Sequence, residues 1–198
     1  MYSMNIGRPL EFDPEQALDA AMQVFWASGY EATSLQNLLD AMDLSKSSFY
    51  QAFGGKRQLF ERCLKRYRDT MAAAMLDSLN QAPSGRQFIE DRLSSVASEA
   101  CSDEKPRGCL VMNTANEFAQ GDPAVAEWVA QGVDRFTAIF EAAVRRAQSE
   151  GDIAADNDPE VLARFLVSSM SGLKTMVKAG LGGSEVKDII QIVLRAID

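Results

Sequence analysis

Apolar residues recur at intervals of three and four along almost the whole chain, and no segment keeps the period of two that a strand requires. The pattern predicts an all-α fold. Asp13-Pro14-Glu15 offers an N-cap, a proline at the first helical position and an acid in the first turn, after which Leu18, Ala21, Met22 and Phe25 line one face and Ser28-Gly29-Tyr30 ends the helix. Thr33 and Ser34 can cap a short second helix with Leu35, Leu38, Leu39 and Met42 inward, broken at Asp43. Ser45 can cap a third, with Phe49, Ala52 and Phe53 inward and Gly54-Gly55 as its stop. From Lys56 a longer helix carries Leu59, Phe60, Cys63, Leu64, Tyr67, Met71 and Met75 to a break around Pro83, and is expected to connect two domains. Beyond it the spacing predicts helices over 86–101, 107–119, 123–149, 159–180 and 184–197. They are punctuated by Pro106-Arg107-Gly108, Gly121-Asp122-Pro123, Gly151-Asp152, Asp158-Pro159 and the run 180–183.

With 198 residues, 46% of them hydrophobic, the chain can build one substantial core or a small domain joined to a larger one. The helix pattern favours the second: a helix-turn-helix domain over 1–55, its flank reaching about 68 on the connector, and a larger helical domain for sensing and dimerisation over 56–198. No apolar run is long enough for a membrane span and no leader-like pattern opens the chain, so the expected compartment is the cytoplasm. Cys63, Cys101 and Cys109 are too few for a disulfide framework, and without a CxxC pair no metal or cofactor is expected.

The net charge of -8 argues against a nucleic-acid partner only until its distribution is read. From Leu44 to Arg68 the cations are Lys46, Lys56, Arg57, Arg62, Lys65, Arg66 and Arg68 against Glu61 alone, so this segment carries +6 and the remainder -14. One basic end on an acidic body suits approach to phosphate, although a solvated basic helix would have the same charges. The short helix after Ser45 adds chemistry to the charge. Phe49 and Phe53 are needed inside against Leu18, Phe25, Leu38 and Met42, which leaves Lys46, Ser47, Tyr50 and Gln51 outward. Lysine donates to guanine or phosphate, glutamine pairs bidentately with adenine, and the hydroxyls suit phosphates or base edges.

Residues 7 to 68 resemble the DNA-binding region of the TetR/AcrR family of repressors. The likeness rests on Ala20-Ala21-x-x-Val24-Phe25, Gly29-Tyr30-x-x-Thr33-Ser34 and Leu44-Ser45-Lys46-Ser47-Ser48-Phe49-Tyr50-x-x-Phe53-x-x-Lys56-x-x-Leu59-Phe60. The resemblance implies a homodimer with two recognition helices in successive major grooves of double-stranded operator DNA. It further implies Tyr50 and Lys56 on phosphates, Ser48 within the contacting helix, and Thr33 or Ser34 anchoring the second helix to the DNA backbone. Two positions depart from the family pattern: Asp43 stands where glycine is frequent, and Ala52 where an aromatic residue or histidine is common. Arg8, in Gly7-Arg8-Pro9, is a candidate for a minor-groove arm, with an ordinary chain terminus as the alternative.

The C-terminal part resembles the family's regulatory domain in length and helicity, which implies a small-molecule inducer. Its candidate pocket residues are Met112, Asn113, Glu117, Trp128, Phe136, Phe140, Phe165 and Met170, for each of which ordinary core is the competing reading. Cys109 stands in Arg107-Gly108-Cys109-Leu110, beside an arginine and near a predicted helix start, where a thiolate is stabilised. Such Gly-Cys-Leu segments resemble a TetR branch in which some members sense electrophiles or oxidants; a small buried hydrophobe is the alternative, and Cys101 is a candidate resolving partner. Small and apolar residues from Ser168 to Ala179 and from Val186 to Leu194 suit either helix packing between subunits or intramolecular core.

An enzyme is the least favoured class, because the chain has no histidine, no glycine-rich phosphate loop and no GxSxG elbow. The expected function is a transcription regulator, most simply a repressor released by a ligand or by thiol modification. A helical adaptor without DNA-binding activity is the competing reading.

Overall fold

In the computed structural model of the chain the described residues are 12–118 and 121–198, and these form nine α-helices and no strand. In order they are α1 (Pro14–Ser28), α2 (Leu35–Met42), α3 (Lys46–Phe53), α4 (Lys56–Gln81), α5 (Gly85–Ala100), α6 (Leu110–Phe118), α7 (Pro123–Glu150), α8 (Pro159–Lys178) and α9 (Gly183–Arg195). Eight starts and ends agree with the hydrophobic period to within a few residues. The start of α6 does not: the period predicts a helix from about 107, but Gly108 adopts φ +71° and the helix begins only at Leu110. A left-handed residue cannot continue a right-handed helix, so the Pro106-Arg107-Gly108 segment stays outside it. Cys109 is thereby placed immediately before the first helical residue, where its carbonyl accepts from Asn113 N–H at 2.8 Å.

The chain divides into two compact units, one ending at Cys63 and one running from Leu64 to Asp198. In the first, Leu18, Ala21 and Phe25 of α1 are buried with Leu38 and Met42 of α2, Phe49 and Phe53 of α3, and Leu59 and Phe60 of α4. Phe25 and Phe60 meet edge to face with ring centres 5.0 Å apart, the arrangement their quadrupoles favour.

The larger unit is built around α7, which packs against α5, α6 and α8, while α9 packs on α5. Phe88, Ile89 and Leu93 of α5, Ile139, Phe140 and Val144 of α7, Leu166 and Leu173 of α8, and Val186 and Ile190 of α9 form its core together with Ala72, Met75 and Leu79 of α4. The α4–α5 corner is locked onto α7 by one glycine and one ion pair. A Cβ at Gly85 would lie 2.3 Å from the Ala143 carbonyl oxygen and 2.6 Å from the Ala147 nitrogen, so two backbones touch there and no side chain fits. Arg146 donates to the carbonyls of Leu79, Ala82 and Pro83 at 2.9 to 3.1 Å, which supplies acceptors at the end of α4 with the donors they lack inside the helix. Glu150 pairs with Arg146 at 2.7 Å and accepts from Gly85 N–H at 2.8 Å, and that backbone bond first, the arginine after it, holds the carboxyl below its ordinary range.

Candidate nucleic-acid interface and apolar cavity

The α2–turn–α3 geometry follows from local chemistry. Ser34 caps α2: its hydroxyl accepts from Asn37 N–H at 3.1 Å, and Asn37 Oδ1 accepts from Ser34 N–H at 2.9 Å, a reciprocal capping box. Asp43 then adopts the left-handed conformation at φ 51°, which a glycine would occupy freely and an aspartate tolerates better than most. Ser45 caps α3 by accepting from Ser48 N–H at 3.1 Å, and Gly54 closes it at φ 78°. Phe49 and Phe53 anchor the buried side of α3, and Lys46, Ser47, Tyr50 and Gln51 are exposed on the other, with Tyr50 at 48%. The Tyr50 ring rests edge-on against Phe49 at 5.3 Å, so it is propped in place without being covered.

The flanking basic residues divide by role. Lys56, the first residue of α4, carries its ammonium 4.2 Å above the Tyr30 ring, a cation–π contact that steadies a half-exposed charge at a helix N-terminus. Arg62 stacks on Phe53 at 4.7 Å and donates to the Ala52 carbonyl at 3.2 Å, which fastens the end of α3 to α4. Ser48 is half-buried, its hydroxyl 2.9 Å from that of Ser45. Thr33 departs from its expected place on the DNA: it is 1% exposed and donates to the Gly29 carbonyl at 2.6 Å, tightening the α1–α2 turn, so Ser34 alone of the two faces outward. Arg8 lies outside the described residues.

In the larger unit a cavity of about 60 Å³ is lined by Tyr67, Met71 and Met75 of α4, Cys109, Phe136 and Phe140 of α7, and Val167, Met170, Ser171 and Lys174 of α8. Four predicted residues meet here: Cys109, Phe136, Phe140 and Met170. Five others do not line it. Asn113 is occupied in donating to the Arg107 carbonyl at 2.8 Å, Glu117 is exposed, Met112 and Trp128 are half-buried elsewhere, and Phe165 is 38% exposed on α8. Helical period assigns a residue to a face but does not say whether that face meets a cavity, a packed neighbour or solvent.

The cavity's polar groups include two outside the candidate pocket residues, Tyr67 and Lys174. Tyr67 is buried in the cavity wall it shares with Cys109; burial first, and the neighbouring sulfur next, push its hydroxyl well above the ordinary tyrosine range. Lys174 pairs with Glu99 at 2.6 Å, so its charge is balanced at the cavity edge. A tyrosine within a Leu and Met stripe is the one sequence signal that marks the α4 side, since a buried hydroxyl needs a partner. Cys101 sits elsewhere, exposed in a larger open groove between α5 and α9 with Lys187 and Gln191. Among the described residues no group of metal-ligating side chains occurs, and no helix is long and apolar enough to cross a membrane.

A capped helix-turn-helix, joined through α4 to a helical unit with an apolar cavity, defines a helical DNA-binding regulator. Residues 17–63 match the family described as bacterial regulatory proteins, tetR family, and residues 86–191 match the tetracyclin repressor-like C-terminal domain. The chain belongs to the TetR family of transcriptional regulators. It is 29% identical over 194 residues to the uncharacterized HTH-type transcriptional regulator YezE of Bacillus subtilis, spanning 98% of this chain and 100% of YezE. To the HTH-type transcriptional repressor BdcR of Escherichia coli it is 30% identical over 176 residues, 88% of this chain and 83% of BdcR. Among solved structures, the TetR family regulator CifR, a cysteine mutant complexed with 26-bp double-strand operator DNA, superposes with a TM-score of 0.82 at 35% identity, covering 97% of this chain and 100% of CifR.

Proposed function

We propose that the chain is a repressor that binds a palindromic operator as a homodimer through α3, and that it is released when a small ligand fills the cavity beside Cys109 or its thiol is modified. The observation that carries the reading is the outward set Lys46, Ser47, Tyr50 and Gln51 on a helix capped at both ends and fixed by Phe49 and Phe53. Base edges are read by Lys46 and Gln51, with Ser47 and Ser48 beside them; Tyr50, Lys56 and Ser34 hold phosphates. The DNA-reading domain is residues 1–55 with its basic flank to about 68, and the rest senses and dimerises. BdcR carries the name repressor, and CifR was solved on operator DNA with cysteines replaced, two of them eight positions apart, the separation of Cys101 and Cys109 here. The protein acts in the cytoplasm, and no catalytic step or cofactor is assigned to it.

The test is an electrophoretic shift assay on the DNA upstream of the chain's own coding region. Tyr50→Phe and Lys56→Ala each weaken binding at least fivefold, and Lys56→Ala lowers the slope of log affinity against log salt by about one, as the loss of one phosphate contact requires. Unaltered binding by both variants removes the assigned contacts.

A further inference from the structure

The chain's three thiols have three different settings. Cys63 is sealed in the first unit, wholly buried and donating to the Leu18 carbonyl at 3.7 Å, so a reagent meets it only after unfolding. Cys101 is exposed in the open groove of about 640 Å³ between α5 and α9, which puts no limit on the size of what arrives. Cys109 is half-buried, and the space beside it is the cavity of about 60 Å³. That is less than half of the roughly 150 Å³ in which an apolar protein cavity takes up benzene, so it admits only about five non-hydrogen atoms. Its walls decide polarity as well as size. The thioethers of Met71, Met75 and Met170 and the rings of Phe136 and Phe140 return none of the hydrogen bonds that an ion or a peroxide gives up on leaving water. The Lys174 ammonium at the cavity edge is matched by Glu99 at 2.6 Å, so a charged molecule gains no new ion pair there. Ser171 and Lys174, three positions apart on α8, bring hydroxyl and ammonium donors to one side of the cavity, which suits a molecule with a single acceptor oxygen.

We infer that the cavity is a size filter in front of the Cys109 thiol, that its substrate class is an uncharged conjugated ketone or aldehyde of about five non-hydrogen atoms, and that Met170 and Met71 set the limit. The inference rests on the function proposed above and names the class of molecule that the same site accepts. In the reaction the thiol adds across the carbon–carbon double bond: the S–C bond forms at the β-carbon, the π bond breaks, the thiol proton is balanced by one gained at the α-carbon, and no net oxidation occurs. The carbonyl oxygen is the acceptor for the Ser171 or Lys174 donors. Among the walls, Phe140 is 1% exposed and held by Phe88 with ring centres 5.8 Å apart, and Met75 belongs to the core, so neither gives way. Met170 is only partly buried against that core and Met71 is half-buried. Their side chains are long and pliable, so the filter is graded: a bulkier reagent is slowed and not shut out.

The experiment uses the full, pre-reduced chain and two probes with the same reacting group, methyl vinyl ketone and phenyl vinyl ketone. Adduct formation at each cysteine is followed by peptide mass spectrometry, free cysteine gives the intrinsic ratio of the two rates, and the exposed Cys101 serves as the reference inside the protein. At Cys101 the two probes react in the intrinsic ratio. At Cys109 the smaller probe is favoured at least tenfold beyond it. Met170→Ala, which cuts back the wall, lowers that preference below threefold, whereas Met170→Leu, which keeps most of the volume, retains it. In concentrated urea the preference disappears and Cys63 becomes reactive. The same preference at Cys109 as at Cys101 overturns the filter, because the thiol is then reached from solvent, and a preference that survives urea overturns it too. So does a preference that survives both Met170→Ala and Met71→Ala in variants whose melting temperature shows them folded. Operator affinity, read by fluorescence anisotropy before and after the smaller probe, is scored separately. Selective alkylation that leaves operator affinity unchanged sinks the reading of Cys109 as a release switch while the filter stands, and release without size preference does the reverse.

Discussion

Thr33 and Ser34 are neighbours with nearly the same chemistry and opposite duties. Ser34 is exposed and caps α2 through a reciprocal pair with Asn37, whereas Thr33 is buried and spends its hydroxyl on the Gly29 carbonyl. The branched methyl of threonine fills the turn while the hydroxyl satisfies a backbone acceptor, so the residue works on the fold and not on the partner. Thr33→Val preserves the shape and deletes the bond. Chemical denaturation should show a loss of about 1–2 kcal/mol, the usual cost of leaving a buried group unsatisfied, with operator affinity within about twofold of wild type. A tenfold loss of affinity at unchanged stability would return Thr33 to the DNA interface.

At the scale of elements, α3 and α4 show how short sequences set precise placements. Eight residues are too few to hold a helix by propensity, and α3 exists because Ser45 and Gly54 close its ends and two phenylalanines bury one side. Its outer face is therefore free to be chosen for DNA. The far end of α4 is fixed by the opposite device, a close backbone contact at Gly85 backed by Arg146 and Glu150. Gly85→Ala places a methyl carbon 2.3 Å from the Ala143 oxygen, and neither helix backbone can yield without dragging core side chains with it. The expected cost is about 1–3 kcal/mol of stability, read as a lower denaturant midpoint.

At the scale of the molecule, the larger unit leaves apolar side chains in water. Val161, Phe165 and Met176 on α8 and Ile189 and Ile192 on α9 are exposed, Ile192 at 60%. Ser168, Gly172 and Ala179 continue the α8 stripe with small residues that permit close approach. Leu173, Val186, Ile190 and Val193 from the same helices are buried, so the two readings of these segments divide residue by residue: one side is core and the other is the surface proposed for the second subunit. Met176→Glu with Ile192→Glu adds charge to that surface alone. Sedimentation should then give the mass of one 21.7 kDa chain instead of two, and affinity for a palindromic fragment should fall at least tenfold while a half-site is bound as before.

The sequence by itself determined the helices, their caps, the helix-turn-helix and its outward residues, because each depends on neighbours three or four positions away: Ser45 meets Ser48, and Phe49 and Phe53 share one side of α3. Only the tertiary structure decided which C-terminal residues form the cavity and which merely pack. Cys109 and Tyr67 are 42 positions apart and Glu99 and Lys174 are 75, and no periodicity encodes such meetings. The same distinction moved Thr33 from surface to interior and left Phe165 outside the cavity, since helical period fixes a side chain's direction while the packing of other helices settles what it meets.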